Sequence, residues 1–285
     1  MNWDQDSLKR LLREAREAGA TDLHFKVPGP PRMRIRGELV PTAYDPLQPA
    51  ATQRIAQIVL ELAGRELPLA TLTDAEVGFG IPKEGRFRAT LFRQRGSLGV
   101  LVHRMALDAP SIESLGAPDD AAAAIWGSPG LVLVCGARGR HALLGALTNA
   151  FARLVRGHLL TLEQPIEYLH RDARGAVSQR EVRVDVPSFE AGLAGALHDD
   201  SDAILASDLP DAAAAELALR IAEDGRCVVA GLAGCPPAEA SQRFIELFPP
   251  ARAAGIAHRL AAQLRLVVFD HNGQMGFLAP DGAAG

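Results

Sequence analysis

Gly130-Leu131-Val132-Leu133-Val134-Cys135-Gly136-Ala137-Arg138-Gly139-Arg140-His141-Ala142-Leu143 is the stretch that decides the fold. Residues 131–134 form a short, unbroken apolar run, the pattern of a strand covered on both faces in a parallel sheet. Gly136 and Gly139 bracket a turn, and a helix is expected to follow through about residue 155. Strand, glycine turn and helix make the frame of a phosphate-binding loop, where backbone N–H groups and a helix N-terminus cradle an anion. A working loop reads G-x-x-x-x-G-K-[ST], with the lysine on the phosphates and the hydroxyl on Mg²⁺. Here His141 stands at the last glycine, Ala142 at the lysine and Leu143 at the hydroxyl. Two glycines between a strand and a helix are common, so the stretch alone predicts an α/β unit and not an activity.

Downstream the same grammar repeats. Strands are expected at 159–162, 203–206 and 227–230, with helices near 188–198 and 211–223 between them. Strands alternating with helices imply a parallel sheet with right-handed crossovers. Two more helices, 238–247 and 251–264, lead into a hairpin of 266–269 with 276–279 around Asn272-Gly273. Upstream the pattern differs. A helix capped by Asp6 or Ser7 carries Leu8, Leu11, Leu12 and Ala15 at helical spacing and stops at Gly19. Strand-like pieces at 22–27 and 32–36 follow, then a helix over 50–63. Arg-Phe-Arg-Ala-Thr-Leu-Phe-Arg from Arg86 alternates as a half-buried strand does, with 98–104 as its partner across Gly96-Ser97. This reads as a small α+β domain over 1–107, a linker at Asp108-Ala109-Pro110-Ser111, and an α/β domain over 112–285.

Composition bounds the function. With 48% hydrophobic and 22% charged residues in 285, the chain is expected to fold as a globular protein. A net charge of −4 offers nothing to nucleic acid. No apolar run is long enough for a bilayer, and Met1 leads into a charged segment, so neither membrane insertion nor a signal peptide is expected. Cys135, Cys227 and Cys235 lack metal-ligand spacing and read as buried thiols in a reducing cytoplasm. No metal site is expected. Asp199, Asp200 and Asp202 read as a solvated loop, and Asp22 and His24 as anchors of the first strand.

A longer series of motifs carries more weight. In order come Ala20-Thr21-Asp22-Leu23-His24, Arg86-Phe87-Arg88, Phe92-Arg93-Gln94-Arg95-Gly96 and the 130–134 strand. Then follow Leu160-Thr161-Leu162-Glu163-Gln164-Pro165-Ile166-Glu167-Tyr168, Ser178-Gln179-Arg180-Glu181-Val182, Asp202-Ala203-Ile204-Leu205 and Glu246-Leu247-Phe248-Pro249. From about Gly19 to the C-terminus the series closely resembles the PilT family, the retraction motors of type IV pili within the type II/IV secretion ATPases. The resemblance implies a PAS-like α+β N-terminal domain followed by a RecA-like, P-loop NTPase-type domain with a mostly parallel sheet. It also implies hexameric rings in the cytoplasm, peripheral at the inner membrane beneath a pilus or secretion platform. The boxes that carry chemistry depart from the family. Glu163 is kept, but Gln164 replaces the aspartate of Glu-Asp-Pro-Ile-Glu. Ser207-Asp208 stands where the Walker B Gly-Glu belongs, and the His box has become Gly231-Leu232-Ala233-Gly234.

Lysine and Mg²⁺ normally neutralise the triphosphate as the γ-phosphoryl leaves. Ala142 supplies no charge, Leu143 no metal ligand, and Asp208 a carboxylate one methylene short. Losing one such electrostatic donor costs roughly 3–4 kcal/mol of transition-state stabilisation. The expectation is a catalytically inactive, regulatory or structural subunit of a pilus or secretion motor with no bound cofactor. Glu163 and Asp208 would be relict catalytic carboxylates and 136–143 (Gly136, Ala137, Arg138, Gly139, Arg140, His141, Ala142, Leu143) a degenerate nucleotide loop. Its partners would be PilT-type motor subunits, in a homo- or hetero-hexamer, or the inner-membrane platform protein. Arg86, Arg88, Arg95 and Arg104 match the segment that sends arginines into a neighbouring subunit's nucleotide site. The alternating strand offers a plainer reading, with Arg86 and Arg88 on its wet face. Two alternatives stand: an active ATPase using ATP and Mg²⁺ with Arg138 or Arg140 in place of lysine, and a non-hydrolysing nucleotide or phosphoanion sensor. Arg138 and Arg140 read most simply as solvated loop arginines, His141 as a helix-start polar residue, and Glu163 as a relict or a local partner of an arginine.

Overall fold

A computed structural model describes residues 3–82, 84–105, 108–136 and 139–279. Its chain parts into two units, Met1–Leu107 and Asp108–Gly285. In the first unit, α1 (Gln5–Glu17) starts from a reciprocal cap. The Asp4 carboxylate accepts from the Ser7 N–H at 2.8 Å, and the Ser7 hydroxyl accepts from the Asp4 N–H at 2.9 Å. The cap is therefore Asp4 and not Asp6 or Ser7. Only Asp4 precedes Ser7 by the three residues that this exchange needs.

β1 (Ala20–Phe25), β2 (Arg32–Ile35), β3 (Glu38–Pro41), α2 (Pro49–Leu62), β4 (Asp74–Ile81), β5 (Gly85–Gln94) and β6 (Ser97–Arg104) complete the unit. The strands form one antiparallel sheet in the order β3-β2-β1-β6-β5-β4. Phe87, Ala89 and Leu91 of β5 share a core with Leu8 and Leu11 of α1 and Ile55 and Val59 of α2. The intervening Arg86, Arg88 and Thr90 therefore point to the opposite face. Arg95 and Gly96, both at positive φ (50° and 80°), make the two-residue hairpin turn between β5 and β6.

The second unit runs α3 (Asp119–Trp126), β7 (Gly130–Gly136), α4 (Arg140–Leu154), β8 (His158–Glu163), β9 (Ala176–Glu181), α5 (Phe189–Ala196) and β10 (Ala203–Ala206). It ends with α6 (Ala212–Glu223), β11 (Cys227–Ala233), α7 (Ala240–Ile245), α8 (Ala253–Gln263), β12 (Leu264–His271) and β13 (Gln274–Leu278). The sheet order is β13-β12-β7-β11-β10-β8-β9, parallel throughout except the β12–β13 hairpin. The unbroken apolar run of β7 has a direct cause. Leu131, Leu133 and Cys135 enter one core layer with residues of α5 and α6, while Val132 and Val134 enter another with residues of α3 and α4. Helices cover both faces, so no strand position along the run faces water.

From β7 the chain crosses to β8, returns through β10 to β11 beside β7, and only then places β12 on β7's other side. Ligands of such sheets bind at the carboxyl ends of the strands where this order reverses. The loop after β7 opens there, together with the ends of β10, β11 and β12.

Candidate nucleotide site

Gly139 caps α4 in the left-handed conformation (φ 78°, ψ −19°), which suits glycine. A Cβ at Gly139 would come within 2.6 Å of Asp270 Cγ and 2.8 Å of its Oδ2. The Asp270 carboxylate, whose Oδ1 accepts from the Gly273 N–H at 3.0 Å, thus lies against the loop where α4 begins. An anion is favourable at a helix N-terminus, and this one belongs to the protein itself. Ala137 and Arg138, expected in the same loop, lie outside the described residues.

Arg140, the first residue of α4, reaches across the strand ends. Its Nη1 lies 2.9 Å from Asp208 Oδ1, with side-chain exposures of 12% and 31%. A Cβ on Gly231 of β11 would sit 3.1 Å from the same nitrogen and would overlap the Ser207 carbonyl oxygen. The expectation of a solvated loop arginine is therefore corrected for Arg140. Asp208, just past β10, draws it inward, and glycine at 231 leaves it room. His141 Nδ1 lies 3.6 Å from Glu167 Oε1, so the helix-start histidine faces a carboxylate. Ala142 is half-buried. Leu143 is 1% exposed, and its side chain belongs to the core between α4 and the sheet.

Glu163, the last residue of β8, accepts from Thr161 Oγ1 at 2.7 Å and from Gln179 Nε2 at 2.9 Å. Gln179, on β9, also donates to the Tyr168 carbonyl at 2.8 Å and accepts from the His170 N–H at 2.9 Å. The carboxylate is thus tied to the 168–170 segment. Burial pushes the His170 imidazole down to about 4. Burial and the nearby Glu167 charge push the Tyr168 hydroxyl up. Ser207 Oγ accepts from the Gln164 N–H at 3.2 Å, linking the end of β8 to that of β10.

The structure gathers Gly139, Arg140, Asp208, Gly231 and Asp270 at the carboxyl end of β7. Sequence reading missed Asp270, Thr161 and Gln179. An aspartate between an apolar strand and an Asn-Gly turn reads as turn chemistry until the strand order shows which loop it faces.

In the first unit the four candidate trans arginines separate. Arg86 and Arg88 lie on the face of β5 away from α1 and α2, and Arg88 Nε pairs with Glu76 Oε1 at 3.1 Å. Arg95 sits in the far turn, seven residues and roughly 23 Å along the strand from Arg88. Arg104 pairs in register with Phe87, on the helix-covered face. Asp22 is held by Thr21 at 2.7 Å and His103 at 2.8 Å, an anchoring role across β1 and β6. In the second unit Asp202 accepts from the His158 N–H and Asp199 from Ser201, as loop anchors do. Among the described residues no group of three or more His, Cys, Asp or Glu side chains is placed to hold a metal. No helix among them is long and apolar enough to cross a membrane.

No protein-family model matches the chain. It is 31% identical over 266 residues to the uncharacterized protein YggR of Escherichia coli strain K12, covering 92% of this chain and 80% of that one. Over 264 residues it is 30% identical to the type IV pilus ATPase PilU of Pseudomonas aeruginosa, covering 91% and 68%. Against the type IV pilus retraction ATPase PilT of the same organism it is 28% identical over 263 residues, covering 92% and 76%. The crystal structure of the pilus retraction motor PilT with bound ADP superposes with a TM-score of 0.83 at 28% identity, over 96% of this chain and 83% of that one. The ATPase DotB of Legionella pneumophila superposes at 0.85 with 19% identity, covering 98% and 82%, a likeness of fold alone.

Proposed function

This chain belongs to the PilT/PilU family of type IV pilus ATPases, and on that premise we propose that it is a non-hydrolysing member, a regulatory or structural subunit of a pilus or secretion motor. The observation that carries the proposal is the Arg140–Asp208 ion pair at 2.9 Å. It joins the first residue of the loop helix to the position of the water-orienting Walker B carboxylate. Both groups are engaged with each other, where an active site would aim one at phosphate and the other at the attacking water.

Two more features point the same way. Leu143, at the position of the Mg²⁺-binding hydroxyl, has its side chain in the core. The Asp270 carboxylate lies against Gly139, where it would repel a phosphate. These residues do not fit a magnesium triphosphate, and we derive no catalytic step through one. Glu163 is then a relict, held by Thr161 and Gln179 as a structural acceptor.

In this reading the unit over 1–107 is the PAS-like domain and the α/β unit, from about residue 112, the RecA-like one. The protein works in the cytoplasm, against the inner membrane, and docks on PilT-type subunits in a mixed or uniform hexamer or on the platform protein. Arg86 and Arg88, sharing one face of β5, are the pair able to enter a neighbouring subunit's nucleotide site. Arg95 lies too far along the strand to join them, and Arg104 lies on the opposite face of the sheet.

The deciding experiment is calorimetric titration with ATP and a non-hydrolysable analogue, each with Mg²⁺, alongside phosphate release. The expected result is no binding up to millimolar nucleotide and no turnover. Magnesium-dependent hydrolysis that disappears in Glu163→Ala would replace this reading with an active, rewired ATPase. Tight binding without turnover would make the protein a nucleotide sensor.

A further inference from the structure

Cys135 ends the buried run of β7 one residue before the loop glycine, and Cys235 lies two residues beyond β11. Leu232 of β11 is the register partner of Cys135. The left-handed turn at Gly234 (φ 69°) folds the chain back over that pair, and Cys235 Sγ approaches the Leu232 carbonyl at 3.9 Å. The two thiols, 100 residues apart in the chain, end with their sulfurs 3.2 Å apart. Both are free and buried, at 0% and 6% exposure. Cys227 has a different setting, its Sγ lying 3.2 Å from the Ile125 carbonyl. A disulfide needs sulfurs at about 2.05 Å, so closure asks for a shift of roughly 1 Å.

We propose that Cys135 and Cys235 are an oxidisable thiol pair that closes to a disulfide with a hydroperoxide as oxidant, tying the base of the loop to the turn after β11. Cys235, the more exposed of the two residues, attacks the hydroperoxide. The O–O bond breaks, Cys235 becomes a sulfenic acid, and the displaced oxygen leaves as an alcohol (water, for hydrogen peroxide) carrying the thiol proton. Cys135 then attacks the Cys235 sulfur. The S–S bond forms, and the sulfenic hydroxyl leaves as water with the Cys135 proton. Both sulfurs are oxidised by one electron each and the peroxide is reduced by two.

The order follows from surroundings. Burial pushes the Cys135 thiol up, and the nearby Arg140 charge offsets this only in part, so Cys135 suits the second step within an already formed contact. The bond would cross-link the segment leading into Gly136 to the one following Gly231, between which Arg140 reaches toward Asp208. Oxidation would thus add a covalent tie to an arrangement that the reduced protein holds by the β7–β11 ladder and the Arg140–Asp208 ion pair. This chemistry is independent of whether the site turns over ATP.

The test treats the full-length protein with hydrogen peroxide, unfolds it in an alkylating agent and maps the products by mass spectrometry. The alkylated thiols should fall from three, the number in the chain, to one. Cys227 should be the survivor, and a Cys135–Cys235 linked peptide should disappear on treatment with dithiothreitol. In Cys235→Ala, Cys135 should stay reduced at the same dose. Retention of all three thiols while an unfolded control oxidises would overturn the proposal. So would a linkage through Cys227, or irreversible sulfinic acids without a disulfide. The mapping on unsubstituted protein needs no variant, so a poorly folding Cys235→Ala leaves the outcome decided.

Discussion

Removing either partner of the Arg140–Asp208 pair should destabilise the second unit, and the two losses should be unequal. The contact is 2.9 Å long, with 12% of the arginine and 31% of the aspartate side chain exposed. Exposed pairs contribute up to about 1 kcal/mol, and breaking a buried one costs about 3–5 kcal/mol, so a coupling of about 1–2 kcal/mol is expected here. Asp208→Ala strands a guanidinium on the first residue of α4, at the positive end of the helix dipole. Arg140→Ala leaves a partly exposed carboxylate that water can solvate. Asp208→Ala should therefore cost more. The assay is thermal unfolding followed by Trp126 fluorescence, in a Trp3→Phe background so that only the second unit reports. Trp126 is buried, donates to the Leu147 carbonyl at 2.9 Å and packs edge-on against Phe151. In a unit of this size each kcal/mol moves Tm by about 2–4 °C. The single variants and Arg140→Ala/Asp208→Ala together form a thermodynamic cycle. Single losses that add to within about 0.3 kcal/mol, or a costlier Arg140→Ala, would refute the reasoning.

Leu143→Ser should lower the stability of the second unit by about 3 kcal/mol or more, because it empties a packed site and buries a hydroxyl there. Calorimetry should find no Mg²⁺-dependent ATP binding gained in return. His170 gives an acid-side prediction. Its pKa falls from 6.5 to about 4 on folding, so the unfolded chain binds the proton more tightly. The stability that this group contributes is full above about pH 6.5 and declines as pH falls toward about 4. Tm measured across that window should fall less steeply in His170→Gln than in the unsubstituted chain. For the first unit, mixing with a PilT-type motor should change its ATPase rate, and Arg86→Ala/Arg88→Ala should abolish the change. Arg95→Ala or Arg104→Ala should leave it intact, and equal effects from all four arginines would rule out the proposed pair.

The elements with a strong local signature were the legible ones. The apolar run of β7, the glycine turn after it, and the alternation of β5 all announce their burial residue by residue. The strands that sequence reading leaves without an element lack that signature. β4, Asp-Ala-Glu-Val-Gly-Phe-Gly-Ile, carries two acids and two glycines, residue types depleted in strands, and its partner β5 supplies its place in the sheet. β3 has all four residues exposed, and the polar β9 lies at a sheet edge. α3 is eight residues long, too short for its pattern to stand out from the linker before it. At the candidate site, the residue types at 142, 143 and 208 could be read directly, since each is a substitution within a motif. The partners could not. Arg140 meets Asp208 across 68 residues, and Cys135 meets Cys235 across 100. Only the order β12-β7-β11-β10 brings those positions to one edge.

The burial of Leu143 bears on the history of this chain. A loop that has merely lost a ligand can regain it by one substitution. On the proposed reading, position 143 belongs to the core of the domain, so a metal-binding hydroxyl placed there would weaken the fold before it supplied any chemistry. Packing would then act as a ratchet, keeping the loop from metal binding for as long as Leu143 supports the core.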